Sequence, residues 1–444
     1  MLSPLELYEI GEVIRKVRKD KGLRLEDLAD ENISPATISN IERGVPHVNM
    51  EKTRYLLHKL DLQLEALPSL MVNEQQELEN TKFRLFMIDT LIEIGSPDEA
   101  LEQLDHLAID DTHTFSAWGH YLRGKIFRAK KNWKRAERSF FNAIRLSQSS
   151  TGKESNIEAA AFVELGFCSY SQNDLDQALR YTDSGIEAFI PHGERQQLYF
   201  LLHRNKAIYL EKLSRIGEAM KIVQEVWDRL IEMEQADTVL SFYWLRAELL
   251  RRTGIVDEAI IYAKEGLEKA RLNKKYDSMF DLWTVLGGIY MQQQEWRKSE
   301  ACFNMALKLE GTFDSEYKFV TTYARVGVLY IKQNKWTEAH EVLTKAVEIG
   351  EKTNTAPRLT YALQIMGDYY RLQQHFEEAI PYYNKALELA RKHQYTKKEY
   401  QTLFRLSQCY ETSDEQAFHR CLRNMYKIQQ HLPWEEVQVY EEME

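Results

Sequence analysis

"WTVLGGIY" (283–290), "YARVGVLY" (323–330) and "LQIMGDYY" (363–370) carry a glycine at the same place, and those glycines, 287, 327 and 367, stand 40 residues apart. The step runs backward to Ala247 and Ala207, then with small slips to Gly166 and Gly124, and to Asp89 in an irregular first unit. About a dozen residues after each comes a second small residue: Ala100, Ala136, Ala178, Ala219, Ala259, Ser299, Ala339 and Ala379. Aromatics keep the same interval, as in Tyr290, Tyr330 and Tyr370, and in Phe303 and Tyr383. A fixed period of this size marks one supersecondary unit stacked on copies of itself. Small residues let the two helices of a unit cross closely, and the large ones fill the space between successive pairs.

The bulk composition agrees with a helical array. The chain has 444 residues, 44% hydrophobic and 28% charged, with 9 Pro and 19 Gly. No run approaches the roughly 20 apolar residues that span a bilayer, and no leader pattern opens the chain, so a cytoplasmic protein without membrane contact is expected. The net charge of -10 argues against a chain-wide nucleic-acid coat but leaves room for a small DNA-reading surface. Cysteines 168, 302, 409 and 421 show no paired spacing and read as reduced thiols. No metal, cofactor or catalytic set is expected. Tyr369, Tyr370, Tyr382 and Tyr383 fall on repeat positions and read as packing.

The first seventy residues have a different grammar. "SPLELYEIGEVIRKVRKDKG" (3–22) begins with a Ser3, Pro4, Glu6 capping box and carries one apolar stripe, Ile10, Val13, Ile14 and Val17. A second short helix, "RLEDLADE" (24–31), follows. Ser34 then caps a third helix that Pro35 starts and Gly44 stops. A fourth, with Asn49 as its cap, closes the set. The third helix has only Ile38 and Ile41 as inward anchors, and its first turn is left bare. A helix of that kind suits a groove, with its first residues against base edges. Arg15, Lys16, Arg18, Lys19, Lys21 and Arg24 lie just before it, suited to phosphates. Against this, residues 1–70 hold 10 Lys+Arg and 12 Asp+Glu, a balance that favours a module kept for dimerisation or stability.

"LEDLADENISPATISNIERG" (25–44) resembles the helix-turn-helix of the Xre/Cro-like repressor class, with a turn one residue shorter, as in the PlcR and Rgg regulators. By that resemblance Pro35, Ala36 and Asn40 face bases, while Ser34, Thr37 and Arg43 face the backbone with Arg15 and Arg18 nearby. Asn40 alone has a side chain suited to a bidentate contact, to adenine. The forty-residue lattice resembles the tetratricopeptide repeat. Its period exceeds the usual one of about 34, so helices longer by about a turn are expected. The expected architecture is all-α: a helix-turn-helix domain (1–70), a linker (71–80), a right-handed solenoid of eight to nine repeats (81–430) and a tail (431–444).

Together the two parts resemble the peptide-pheromone receptors of the RRNPP family, nearest in layout to its NprR-like members. The resemblance implies a transcriptional regulator of quorum sensing that binds an operator in double-stranded DNA as a homodimer or higher oligomer. A short signalling peptide bound in the concave surface of the repeats would control it. The alternative is a protein-interaction module that sequesters a response regulator or another partner through the repeats, with or without DNA. On the first helix of each pair, the positions three before and one after the crossing residue are read as inward. With Asn205 beside them and Arg251 and Arg371 a turn later, the peptide-binding set is Arg204, Asn205, Trp244, Glu248, Arg251, Thr284, Gln364, Asp368 and Arg371. Asn205 and Gln364 suit backbone amides, Arg204 or Arg251 a carboxylate, and Trp244 an apolar side chain. Trp434 and Tyr440 in the tail are read either as a dimer contact or as a cap on the array.

Overall fold

The computed structural model describes residues 4–45, 50–62, 67–148, 153–233 and 235–430. Among them the chain is all-helical, with 22 α-helices and a single isolated bridge, Asp30 to Ile33. No helix among the described residues is long and apolar enough to cross a membrane. The expected caps Ser3 and Asn49, and the tail residues Trp434 and Tyr440, lie outside the described residues. The chain divides into two compact units, Met1–Lys130 and Lys131–Glu444.

The first unit opens with four short helices: α1 (Pro4–Asp20), α2 (Leu25–Leu28), α3 (Pro35–Glu42) and α4 (Met50–Lys59). Their core joins Ile10, Val13 and Ile14 of α1 to Leu28, Ile33, Ile38, Ile41, Leu56, Leu57 and Leu60. Gly11 sits where α1 meets the end of α3; a Cβ there would lie 2.6 Å from the Ile41 carbonyl oxygen. The remaining helices are α5 (Leu67–Glu93), α6 (Pro97–His106) and α7 (Ser116–Ala129). The ten residues expected as a linker, 71–80, lie inside α5, a single helix of 27 residues. "MVNEQQELEN" (71–80) contains neither Gly nor Pro, so nothing interrupts the helix.

The second unit begins with α8 (Trp133–Ser147) and continues as seven helix pairs. These are α9 (Ile157–Ser171) with α10 (Leu175–Ala188), α11 (Leu198–Lys212) with α12 (Ile216–Trp227), and α13 (Ala236–Arg252) with α14 (Val256–Leu272). Next come α15 (Tyr276–Gln292) with α16 (Trp296–Leu307) and α17 (Phe319–Lys332) with α18 (Trp336–Thr353). The last are α19 (Ala356–Leu372) with α20 (Phe376–Lys392), and α21 (Thr396–Tyr410) with α22 (Glu415–Gln429). Several of these helices have 17 residues, which accounts for the long period.

The lattice glycines are the crossing points. A Cβ on Gly287 would lie 2.6 Å from the Phe303 ring, and one on Gly327 or Gly367 would collide with Leu343 or Tyr383, again at forty-residue intervals. Ser299 seals one crossing by donating its hydroxyl to the Gly287 carbonyl at 2.8 Å. Seven residues past each crossing, one left-handed residue reverses the chain: Asn173, Ser214, Gly254, Gln294, Asn334 and Gln374. These turns, and not the connections between pairs, keep the strict period.

Among the described residues, the contacts around Asn173 reach far past the neighbour-to-neighbour rule of a solenoid. The Asn173 side chain donates to the Asn354 carbonyl and accepts from the Ala356 amide, both at 3.1 Å. The Tyr395 hydroxyl donates to the Asn173 carbonyl at 3.0 Å. Leu175, Ala178 and Tyr209 pack there with Ala356, Ala390 and Tyr395. The turn after α9 is thereby clasped to the start of α19 and the end of α20, some 180 to 220 residues further along.

Candidate functional site

In the second unit the first helices of the pairs present one stripe to a shared interior. The stripe follows helical spacing, at nine, six and two residues before the crossing position and one and five after it. It supplies Arg358 and Lys398, then Thr321, Tyr361 and Gln401, then Arg325, Ile365 and Arg405, then Glu248, then Lys212 and Arg252. With Glu211, Ser214, Arg251, Pro357 and Gln364, these line a cavity of about 150 Å³. No side chain from α15 is among them. Gly288 stands at the Glu248 position of α15, and a Cβ there would touch Arg251 at 3.4 Å.

Charge dominates the lining. Glu211 lies between Lys212 at 2.6 Å and Arg252 at 3.0 Å. Glu248 lies between Arg251 at 2.8 Å and Arg325 at 2.7 Å, all three buried. Beneath the wall, the fully buried Asp368 holds Arg371 at 3.1 Å and Arg405 at 3.0 Å, and accepts from the Tyr383 hydroxyl at 2.7 Å. Burial pushes the Glu248 and Glu211 carboxyls up, but the cations beside them more than offset it. Both end below the ordinary value. Each carboxylate is therefore ionised and shared by two cations.

Of the nine side chains read as peptide-binding, the cavity brings together Glu248, Arg251 and Gln364. Gln364 is itself held, donating to Thr402 Oγ1 at 2.8 Å and to the Lys398 carbonyl at 3.2 Å. The other six are not among its lining. Thr284 is buried 2.9 Å from Thr322 Oγ1, a packing pair between neighbouring repeats, and Asp368 is closed off under its two arginines. Arg371 is turned to Asp368 and the Tyr383 hydroxyl. Arg204 spends its guanidinium on Asn205 Oδ1 at 2.9 Å, away from the cavity, and Asn205 is buried. Trp244 is half-buried beneath Lys212, whose Nζ is 5.4 Å from its ring. Equivalent positions did not behave alike: Gln364, three before its crossing, lines the cavity, whereas Thr284, three before its own, does not. Lys212, Arg252, Arg325, Arg358, Lys398 and Arg405 were missed. Their signal was present as cations recurring at forty-residue steps, 212 with 252 and 358 with 398.

In the first unit, Ser34 caps α3, its Oγ accepting from the Thr37 amide at 3.2 Å. Ser34, Ala36 and Arg43 are exposed; Arg15, Pro35, Thr37 and Asn40 are half-buried. Arg43 Nη2 donates to Asn40 Oδ1 at 2.5 Å. Arg18 does not fit its expected place on phosphate. It makes a two-point ion pair with the buried Glu42, at 2.6 and 2.9 Å, and donates to the Leu23 carbonyl at 2.7 Å. Glu42 needs that cation because a lone carboxylate inside the four-helix core is costly. Lys16 pairs with Glu77, Lys19 with Asp110 at 3.2 Å and Lys21 with Asp61 at 3.0 Å.

The four cysteines are free and buried, and burial pushes the Cys302 and Cys409 thiols up to about 11. Among the described residues no cluster of three or more His, Cys, Asp or Glu is placed to hold a metal.

The tetratricopeptide repeat family matches residues 319–392. No curated protein sequence matches the chain. Among solved structures, a Rap protein complexed with competence and sporulation factor is 12% identical, with a TM-score of 0.60 over 80% of this chain and 98% of that one. NprR in complex with its cognate peptide NprX is 13% identical, with a TM-score of 0.57 over 79% and 99%. The Rap conjugation gene regulator of plasmid pLS20, in complex with the Phr* peptide, is 12% identical, with a TM-score of 0.51 over 82% and 99%. At this identity the likeness is one of fold: the chain forms a solenoid of tetratricopeptide-like helix pairs, similar to those of Rap proteins and NprR.

Proposed function

We propose that this chain is a peptide-controlled transcriptional regulator of the RRNPP kind. Its α1 to α4 module binds operator DNA as a helix-turn-helix, and a short signalling peptide binds in the cavity of the second unit. The observation that carries the reading is the coincidence of fold and site. Two neighbours of like fold, NprR and the Rap regulator of pLS20, were solved with peptides bound. Here the first helices of five repeats converge on a polar cavity rich in side-chain donors. The capped first turn of α3, with Ser34 and Ala36 exposed, supports the DNA half, with Asn40 as the base-reading side chain. Dimerisation and a cytoplasmic location come with this reading. The test pairs a gel shift on fragments from the chain's own genomic neighbourhood with peptide titration. Binding to one fragment, lost in Asn40→Ala and altered by one peptide of five to ten residues, is the expected result. Non-specific binding that Asn40→Ala leaves unchanged would count against it.

A second reading is favoured by one observation. Arg18, Lys16, Lys19 and Lys21, the cations expected on phosphates, are engaged with carboxylates of the same chain. A module so neutralised suits a repeat protein acting on a protein partner, such as a response regulator. Retrieval of such a partner by the full chain, with no fragment shifted on a gel, would favour it.

A further inference from the structure

A second concavity can be compared with its own copies in the neighbouring repeats. α14, α15 and α16 enclose a groove of about 470 Å³ that shares no lining residue with the polar cavity. Its floor is the stripe Met279, Trp283, Leu286 and Tyr290 of α15, about 16 Å of helix. Leu267 of α14 and Cys302 of α16 wall it, and the exposed Lys264, Arg271 and Lys298 edge it. Cys302 is what leaves it open. Forty residues earlier the same place is Tyr262, whose ring packs on Trp227 at 5.1 Å, with the Arg246 guanidinium 4.1 Å from each ring. Eighty residues later it is Tyr382, stacked on Tyr370 at 5.6 Å and 14°. The counterpart of Tyr370 in this groove is Tyr290, half-buried, and among the described residues no ring packs on it.

The charge at the mouth is changed as well. Glu218, Glu258, Glu338 and Glu378 stand in the first turns of α12, α14, α18 and α20, where the helix dipole favours an acid. The equivalent in α16 is Lys298, paired only loosely with the exposed Glu295 at 3.3 Å. Across the groove, Lys264 stands where the other units have Gln224, Asn304, Thr344 and Asn384. Arg271 is paired with Glu268. A cation that its own helix disfavours, beside a ring that its own repeat leaves uncovered, is a local inconsistency of the kind found at functional sites. We propose that this groove docks a helix of a partner protein, one that lays an aromatic side chain over Tyr290 and Cys302 and presents acidic residues to Lys298 and Lys264. The molecule's own fillers, Tyr262 and Tyr382, show the chemistry: an aromatic ring carried on a helix. The floor is three helical turns long, and Ile261 and Met305, exposed one turn from Lys264 and Cys302, widen the apolar surface beyond what a single ring would cover. The proposal does not depend on what the polar cavity holds.

The experiment selects phage-displayed helical peptides, randomised along one face, on the full chain, with counter-selection on Cys302→Tyr. That variant copies the filled arrangement of the neighbouring repeats, so its melting temperature should stay unchanged or rise. Lys298→Glu, an exposed change that copies the other units, is the second variant. Enriched peptides are expected to carry Phe, Tyr or Trp with Asp or Glu a turn away. Cys302→Tyr should bind them at least about tenfold more weakly, the loss of an excluded anchor, and Lys298→Glu should show a smaller loss that fades with salt. Failure to enrich any peptide that tells the wild type from both variants overturns the proposal, and so do enriched peptides lacking the aromatic or the acids. A sedimentation mass that falls to one chain in Cys302→Tyr alone also overturns it, by making the occupant a second copy. Binding of 3-(4-hydroxyphenyl)propionate with no peptide enriched overturns it by making the groove a small-molecule site. Titration of the cavity with a signalling peptide should be the same in Cys302→Tyr as in the wild type, so that failure here leaves the peptide reading standing.

Discussion

In the four-helix module, cations and carboxylates are matched almost one to one. Arg18 has Glu42, Lys21 has Asp61, and Lys59 has Asp30. In the repeat cavity the same side-chain types are shared: Glu211, Glu248 and, beneath the wall, Asp368 each hold two cations. The first arrangement holds a small core together and leaves little field outside it. The second ties the first helices of different repeats to one another, since Glu211 joins α11 to α13 and Glu248 joins α13 to α17.

Removing a shared carboxylate should give the largest effect. Glu248→Ala leaves Arg251 and Arg325 buried without their counter-ion and is expected to destabilise the second unit by about 3–5 kcal/mol. Thermal unfolding of the chain, with hydrogen exchange assigning the loss to α13 and α17, checks it. The same carboxyl sets an acid limit. With a folded pKa below the ordinary 4.5, Glu248 contributes stability that is full above about pH 4.5 and lost as pH falls through the folded value. The melting temperature should be level from neutral pH to about 5 and drop below 4.5, less steeply in Glu248→Gln.

Arg18→Ala should come next, at about 3 kcal/mol, because it strands Glu42 in the core of α1 to α4. Increased exchange confined to those helices is the expected signature. Full protection with lost DNA binding would instead place Arg18 on phosphate and erase the contrast between the two regions. Asn173→Ala removes two hydrogen bonds from the clasp and should cost about 1–3 kcal/mol, seen as faster exchange at both Ala356 and Leu175. Arg358→Gln should cost least, within about 1 kcal/mol, since the groups it contacts, the Tyr170 hydroxyl and the Tyr317 ring, are neutral. Its effect belongs in the peptide titration. A large loss of stability there would mean that Arg358 holds the repeats together.

The crossing glycines were legible because their reason is local: a Cβ at 287, 327 or 367 meets a large side chain sixteen residues on, inside the same unit. The face of the cavity was not, because it depends on how each pair is rotated on the next. Position alone could not tell Glu248, which lines the cavity, from Asp368 at the same place in its repeat, which is closed off beneath Arg371 and Arg405. In the module, Ser34 and Pro35 marked the start of α3 through backbone chemistry alone. The engagement of Arg18 by Glu42 joins residues 24 apart and has no local signature. Residues 71–80 were read as a linker because they fall between two patterns, although their composition is that of a helix.

The clasp has a consequence for how such a chain changes over generations. An open array of repeats can gain or lose a unit, since each unit meets only its neighbours. Here Asn173 must find Asn354, Ala356 and Tyr395 after a set number of turns. A duplication of forty residues anywhere between them would carry the partners past one another, and a deletion would leave them short. The stretch from α9 to α20 is therefore closed to the copying and trimming by which repeat proteins diversify, and is left to vary by substitution alone.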